Sequence, residues 1–534
     1  MSGACRVFSI PPGAPFLPTL AEALLSGSLV PGFRFGGDPL ALADATIYVP
    51  TRRAARALRG VLADMIGGGS AILPTILPLG EVDEEDGVFD LDSSGGAAAI
   101  DLAPPIGSTE RLLLLGTLVR AWKRRLPAEV AQRFNEEIFV PASAADAIWL
   151  ARDLARLMDE VETEGSDWAK LAGLVTGNLA GWWQVTLDFL GIATEHWPLV
   201  LAERDRSNPA AHRSTLIRME AARLKRNPPK GPVVAAGSTG SIPATAELLK
   251  VIAGLPNGAL VLPGLDQALD EPSFSAISEQ GARPALLGHP QYGLMKLLAK
   301  IGVLRADVAD IGTLDGALSM RARLVGEALR PAETTELWTE TRSRFSEGDV
   351  AAALDGVTIV EAANERDEAV AIAIALRRAI ATPGQHAALV TGDRALARRV
   401  SAELLRFGIV ADDSGGTLLA NMPAAVLLRL MVRCIFQPGD PVALLALIKH
   451  PLLALGLERS VVRRAAELIE LVALRGGTGR PDIATLTHHF EQRLAAPGEG
   501  RREPFWFRRF SAGRIEQAQV VVAKLAQSLS PLLA

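Results

Sequence analysis

The sequence predicts an α/β protein built on parallel sheet, and three observations carry that expectation. Short apolar runs bounded by turn residues recur at Cys5–Ile10, Ala45–Pro50, Gly231–Gly237 and Gly258–Pro263. Pro243–Ala253, between the last two, has helical periodicity with proline in its first turn, so this stretch reads as a βαβ crossover and implies parallel pairing. A chain of 534 residues is also too long for one core, so two to four domains are expected.

The first strand leads into Pro11-Pro12-Gly13-Ala14-Pro15-Phe16-Leu17-Pro18, with a helix expected from Thr19 to Leu25. Strand, loop and helix in that order are the setting of a phosphate loop, which needs free backbone N–H groups, a lysine for the β- and γ-phosphates and a hydroxyl for magnesium. Here four prolines remove four donors, and no Gly-Lys pair occurs anywhere in the chain. Pro12 and Gly13 therefore mark a nucleotide loop without its chemistry. The second strand runs into a helix expected to span Thr51, its cap, to Ile66.

An acidic stretch follows, Glu81–Asp92, holding Asp83, Glu84, Glu85 and Asp86; its spacing fits no calcium loop, and a solvated loop is expected. From 108 to 228 helical periodicity takes over, with Leu150, Leu154, Leu157, Met158 and Val161 as one apolar stripe. Asp159-Glu160 in that stretch mimics a magnesium-binding carboxylate pair, but on a helix it reads as a solvated face. Near Val357 a second α/β unit is expected, with strands Val357–Val360 and Ala387–Thr391 and helices Glu365–Ile380 and Asp393–Phe407. From Pro423 onward the pattern is helical. The last segment, Ile515–Ala534, is an apolar helix with no closing element, as expected of a truncated chain.

Composition narrows the classes. The chain is 49% apolar and 22% charged with a net charge of −5, an ordinary globular balance. Two cysteines, Cys5 and Cys434, exclude a disulfide framework and a self-contained four-cysteine metal site, and point to a reducing cytoplasm. No run of about 18 apolar residues is present for a membrane span, and prolines interrupt the early apolar stretch where a secretory signal would lie. A pI of about 5.9 neither advertises nor excludes nucleic-acid binding, because local basic clusters decide that.

Basic clusters do occur. The helix from Thr51 carries Arg52, Arg56 and Arg59 on one face with Arg53 beside them, opposite an expected buried face of Leu58, Val61, Leu62 and Met65. Arginines in a first helical turn oppose the macrodipole at about 0.3–1 kcal/mol each, a cost that a bound phosphate chain would offset. The alternative is a solvated face with local carboxylate partners. A second helix repeats the theme with Arg394, Arg398, Arg399 and Arg406 opposite Leu396, Val400 and Leu404. Tyr292, one of two tyrosines, either stacks a base or packs a domain edge. Gly237, Ser238, Thr239 and Gly240 follow a strand and open a helix, so they form either an anion cradle or a tight turn with Ser241 as helix cap. No carboxylate stands at that strand end to hold magnesium. His488 and His489 are adjacent and project differently from a helix, which makes a poor metal pair.

Several tracts taken together resemble AddB, the second subunit of bacterial AddAB helicase–nucleases, in its alphaproteobacterial form. They are Val7–Pro18, Ile47–Arg56, Ala236–Pro243, Gly288–Leu294 and Ala388–Arg399, in consistent order along the chain. The resemblance implies two degenerate RecA-like parallel-sheet domains of the superfamily-one helicase type with large helical insertions. It divides the chain into a first domain at 1–105 and 231–350 interrupted by a helical insertion at 106–230, then a second domain at 351–422 and a further helical segment at 423–534. Its implied activity is double-strand break repair by homologous recombination. This chain would be an ATP-inactive scaffold engaging single- and double-stranded DNA beside a helicase–nuclease partner, AddA, and taking part in Chi recognition. The Thr51 helix resembles a strand-contacting helicase motif. Thr51, Arg52, Arg53, Arg56, Tyr292, Arg394 and Arg398 are the candidate DNA contacts. No cofactor is expected in this chain: ATP and magnesium would act in the partner, and the nuclease metal in a further carboxy-terminal domain. The rival expectation is an atypical ATP-hydrolysing subunit using the Gly237–Ser241 loop.

Overall fold

The computed structural model describes residues 5–67, 71–79, 102–125, 143–173, 180–278, 284–475, 480–495 and 510–532. The acidic stretch Glu81–Asp92 lies outside them. The chain divides into two compact units, Met1–Thr358 and Ile359–Ala534.

The first unit is α/β around one six-stranded sheet. Its strands are β1 (Val7–Ile10), β2 (Thr46–Val49), β3 (Thr75–Pro78), β4 (Val233–Ala236), β5 (Gly258–Pro263) and β6 (Ala309–Asp310). They lie in the order β3-β2-β4-β5-β1-β6, and every pairing is parallel. β4 and β5 are central and buried nearly throughout, which is why they read as continuous apolar runs rather than alternating ones. β3 and β6 were not legible in the sequence. β3 ends on Pro78, a residue that a sheet tolerates at its edge, and β6 has only two residues.

Helices cover both faces of the sheet. α1 (Phe16–Ser26) and α2 (Arg52–Ile66) bury Leu20, Leu24, Leu58 and Leu62 against Ile10, Val234 and Val261. Each such fully buried leucine contributes about 1.5–3 kcal/mol. On the opposite face the helices Pro209–Arg226, Pro243–Gly254 and Tyr292–Ile301 bury Ile217, Leu248 and Leu298 against Val233 and Leu260.

Local readings shift at three places. α1 begins at Phe16 rather than Thr19, because Pro18 sits in the first turn, where a missing N–H breaks no intrahelical bond. α2 has the expected bounds, and Ala54 N donates to Thr51 Oγ1 at 3.1 Å as its cap. Its buried face is Ala55, Leu58 and Leu62, however; Met65, in the last turn, is 44% exposed. The helix Ala144–Glu164 buries Ala147, Ala151, Leu154 and Met158, leaving Leu157 on the outside. Asp159 there is no solvated bystander. It pairs with the buried Arg111 at 2.9 Å, tying that helix to Ser108–Arg125.

The second unit differs from the expectation of another parallel sheet. Among its described residues there is no β-strand. The expected strands Val357–Val360 and Ala387–Thr391 join no sheet, and Ile359 and Val390 are 89% and 94% exposed. β-branched composition favours an extended backbone, but a strand exists only with a neighbour to share its hydrogen bonds. The helices Glu365–Ile380 and Arg394–Leu405 do form and pack through Ala369, Ala373, Val400 and Leu404. A separate, larger helical core follows, formed by Pro423–Phe436, Pro441–Ile448, Arg459–Ile469, Leu486–Ala495 and Ala512–Leu529 around Leu447, Ile469, Phe490 and Val521.

Candidate nucleic-acid interface

The carboxyl ends of the first unit's strands bring together the loops that the sequence singled out. β1 and β5 are neighbours, yet β1 connects to α1 on one face while β5 leads to Tyr292–Ile301 on the other. That divergence makes a crevice at the sheet edge, the usual ligand position in open α/β sheets. A cavity of about 710 Å³ opens there.

Its walls do not suit a triphosphate. Pro11, Pro12 and Pro15 have no N–H, and Ala14 N donates to Pro11 O at 3.2 Å, so between β1 and α1 only the Gly13 amide is left as a donor. Above Gly13 stand aliphatic groups: a Cβ placed on it would lie 3.5 Å from Leu314 Cδ2 and 3.8 Å from Leu318. Phosphate oxygens would meet hydrocarbon where they need donors. Across the cavity, Asp266 Oδ1 accepts from Ala268 N at 2.8 Å and Leu269 N at 2.9 Å, so this carboxylate shapes the β5 loop.

The strip containing Tyr292 is tied into the fold through the side chains of His289 and Gln291. His289 Nε2 donates to Leu329 O at 2.8 Å, and Gln291 N donates to His289 Nδ1 at 3.1 Å. Gln291 in turn bridges Gly264 O and Asp266 N at 2.9 and 3.0 Å. Tyr292 opens its helix with its ring half-buried against the main core.

The β4 loop is likewise filled by protein. Gly237 N donates to Val261 O at 2.9 Å and Gly240 N to Ser238 Oγ at 3.2 Å, which commits two of the loop's amides. A Cβ on Gly240 would lie 2.7 Å from Leu297 Cδ1, and one on Gly237 would touch Phe16 and Pro50 at 3.4 Å. The helix that follows is capped by Ile242 without a side-chain bond, so Ser241 is not its cap. β4 ends in Ala235-Ala236, with no carboxylate for a magnesium ion. Among the described residues no group of three or more His, Cys, Asp or Glu side chains could hold a metal.

α2 starts beside this loop, since Pro50 meets Gly237. Its first turn holds Arg52 and Arg53 with no acidic residue, and Arg53 and Arg56 are exposed. Arg59, one turn on, reaches back to Ile76 O at 3.4 Å. The positive end of the helix dipole and these guanidinium groups therefore fall at one place on the sheet's carboxyl edge.

In the basic helix of the second unit the arginines meet named carboxylates. Arg394 makes a bidentate pair with Asp413 at 2.9 and 2.7 Å, Arg399 pairs with Glu365 at 2.5 Å, and Arg406 pairs with Glu403. Arg398 Nε donates to Arg394 O at 3.1 Å. Its arginines thus have local partners, in ion pairs that solvent screens.

No model of a known protein family matches the chain, and no curated protein matches it. No helix among the described residues is long and apolar enough to cross a membrane.

Proposed function

We propose that the chain is an ATP-inactive, helicase-like DNA-binding scaffold of the AddB type, holding a single strand for a helicase–nuclease partner during recombinational break repair. The observation that carries the reading is a pairing at one sheet edge: a phosphate loop closed by prolines and leucines, next to a helix start loaded with arginine. A motor needs the first feature intact, because phosphoryl transfer depends on positioned amides, lysine and magnesium. A strand-gripping surface needs only the second, since backbone phosphates dominate affinity for nucleic acid. The strand order, with β5 between the β1 loop and the β4 end, is compatible with a decayed RecA-like domain.

The test is salt-dependent binding of a fluorescent oligo-dT strand. Replacing Arg52 and Arg56 by Ala should weaken binding and flatten the plot of log K against log salt by about 0.7 per lost contact. An unchanged affinity and slope in a folded double variant would sink the assignment. A parallel titration with Mg-ATP should produce no binding heat; micromolar binding would restore the nucleotide-hydrolysing alternative.

A further inference from the structure

A second basic site lies in the larger helical core of the other unit, far along the sequence from α2. The helix Pro441–Ile448 ends at Lys449, and the turn after it leads into Arg459–Ile469. Between that turn and that helix is a cavity of about 700 Å³, a size that accommodates a nucleotide.

Its lining divides into two chemistries. Ile448, Leu453 and Val462 form an apolar floor and belong to the buried core. Lys449, His450, Arg459, Ser460 and Arg463 supply donors around it. Arg459 and Arg463 are one turn apart on the same helix face, both exposed. Ser460 stands in the first turn, which holds no acidic residue and whose Ncap residue, Glu458, makes no side-chain cap bond. His450 accepts from Leu452 N through Nδ1 at 3.2 Å, which leaves Nε2 to donate outward.

The acidic groups here are already shared. Glu470, 7% exposed, is held by Lys449 and by Arg475 at 2.6 Å. Glu467, the one carboxylate lining the cavity among the described residues, has Arg514 at 3.7 Å on a neighbouring helix. With Lys449 committed to Glu470, Arg459 and Arg463 outnumber Glu467 around the cavity, while the floor is hydrocarbon. A phosphate ion alone would use only half of that surface. A phosphate joined to a sugar and base would use both.

We propose that this cavity binds the phosphate of a nucleotide unit, either as a link of single-stranded DNA or as a free mononucleotide. The site is independent of the arginines of α2. The full chain is titrated with oligo-dT by anisotropy and with dTMP by calorimetry, as wild type, as Arg459→Ala/Arg463→Ala and as Glu467→Gln. The double variant should bind its ligand about tenfold more weakly, and for oligo-dT the salt slope should fall by about 1.4. Glu467→Gln, which removes the repelling charge, should bind about two- to threefold more tightly. Loss with oligo-dT alone identifies the DNA link as the ligand, and loss with dTMP as well identifies the free nucleotide. Should the double variant melt early, the Glu467→Gln result decides. Wild-type affinity for both probes in either folded variant overturns the proposal, and the Arg52/Arg56 variant, measured alongside, keeps that failure separate from failure at α2.

Discussion

Single residues hold the first unit together at a point the sequence leaves unmarked. Tyr48 OH donates to Glu220 Oε1 at 2.5 Å, and Arg223 grips the same carboxylate at 2.7 Å, with Glu220 only 3% exposed. Burial, reinforced by the Glu220 charge, pushes the Tyr48 phenol far above the ordinary tyrosine range. Glu220→Ala removes the carboxylate that Tyr48 and the half-buried Arg223 share and should cost more in urea unfolding than Tyr48→Phe, which should cost about 0.5–1.5 kcal/mol. Equal costs would refute the network. The cysteines should separate cleanly under a thiol reagent: Cys5 is exposed, whereas burial pushes the Cys434 thiol up to about 11. One fast and one protected thiol is the expected count. In the second unit Lys449, with Arg475, holds the Glu470 carboxyl below the usual glutamate range despite burial. A depressed carboxylate stabilises fully above its unfolded pKa of about 4.3 and loses that contribution as pH falls through its folded value. Glu470→Gln should thus lower the melting temperature at pH 7 and flatten its decline in acid; parallel pH curves would argue against the pairing.

At the scale of elements, α2 shows how a strong local signal and the proposed site coincide. Its cap, length and amphipathic face follow from Thr51, Leu58 and Leu62, and Thr51→Ala should cost about 1 kcal/mol. The arginines at its start weaken the helix slightly, an arrangement that fits a surface made for anions. β5 shows the opposite case, where packing dictates the residue. A Cβ on Gly258 would lie 1.8 Å from Ile252 O, so the strand can begin only where no side chain intervenes. Gly258→Ala should therefore unfold or severely destabilise the first unit, measurable as loss of soluble protein or a collapsed melting temperature. A well-folded Gly258→Ala protein would mean the helix end gives way.

Across the whole molecule the two units contrast in how their extended segments are used. In the first, each strand has a partner, and the apolar residues of the central strands β4 and β5 are almost all buried. In the second, the segments at 385–391 and 409–413 expose Val390 by 94% and Val410 by 84%. Brief digestion with thermolysin should cut there well before it cuts β1, β2, β4 or β5, because exposed backbone outside a sheet ladder enters a protease site with little prior unfolding. Early cleavage inside those four strands would contradict this picture. The same contrast explains the division of what was legible. Four strands, the crossover at Pro243 and the Thr51 helix are encoded by local pattern. β3 and β6 are not, because one is bounded by prolines and the other is too short to show a period.

The sequence by itself determined the α/β class, the proline-blocked loop after Ile10 and the arginine-rich start at Thr51, since these depend on residue type and on neighbours a few positions away. Only the tertiary structure decided that Leu314 and Leu318 cover Gly13, that Leu297 fills the space beside Gly240, and that Asp413 and Glu365 occupy the second helix's arginines. It also placed Lys449 and His450 beside Arg459 and Arg463 around one cavity. Such pairings join positions whose separation carries no period, so they emerge only when the sheet and the helical core have brought the segments into contact.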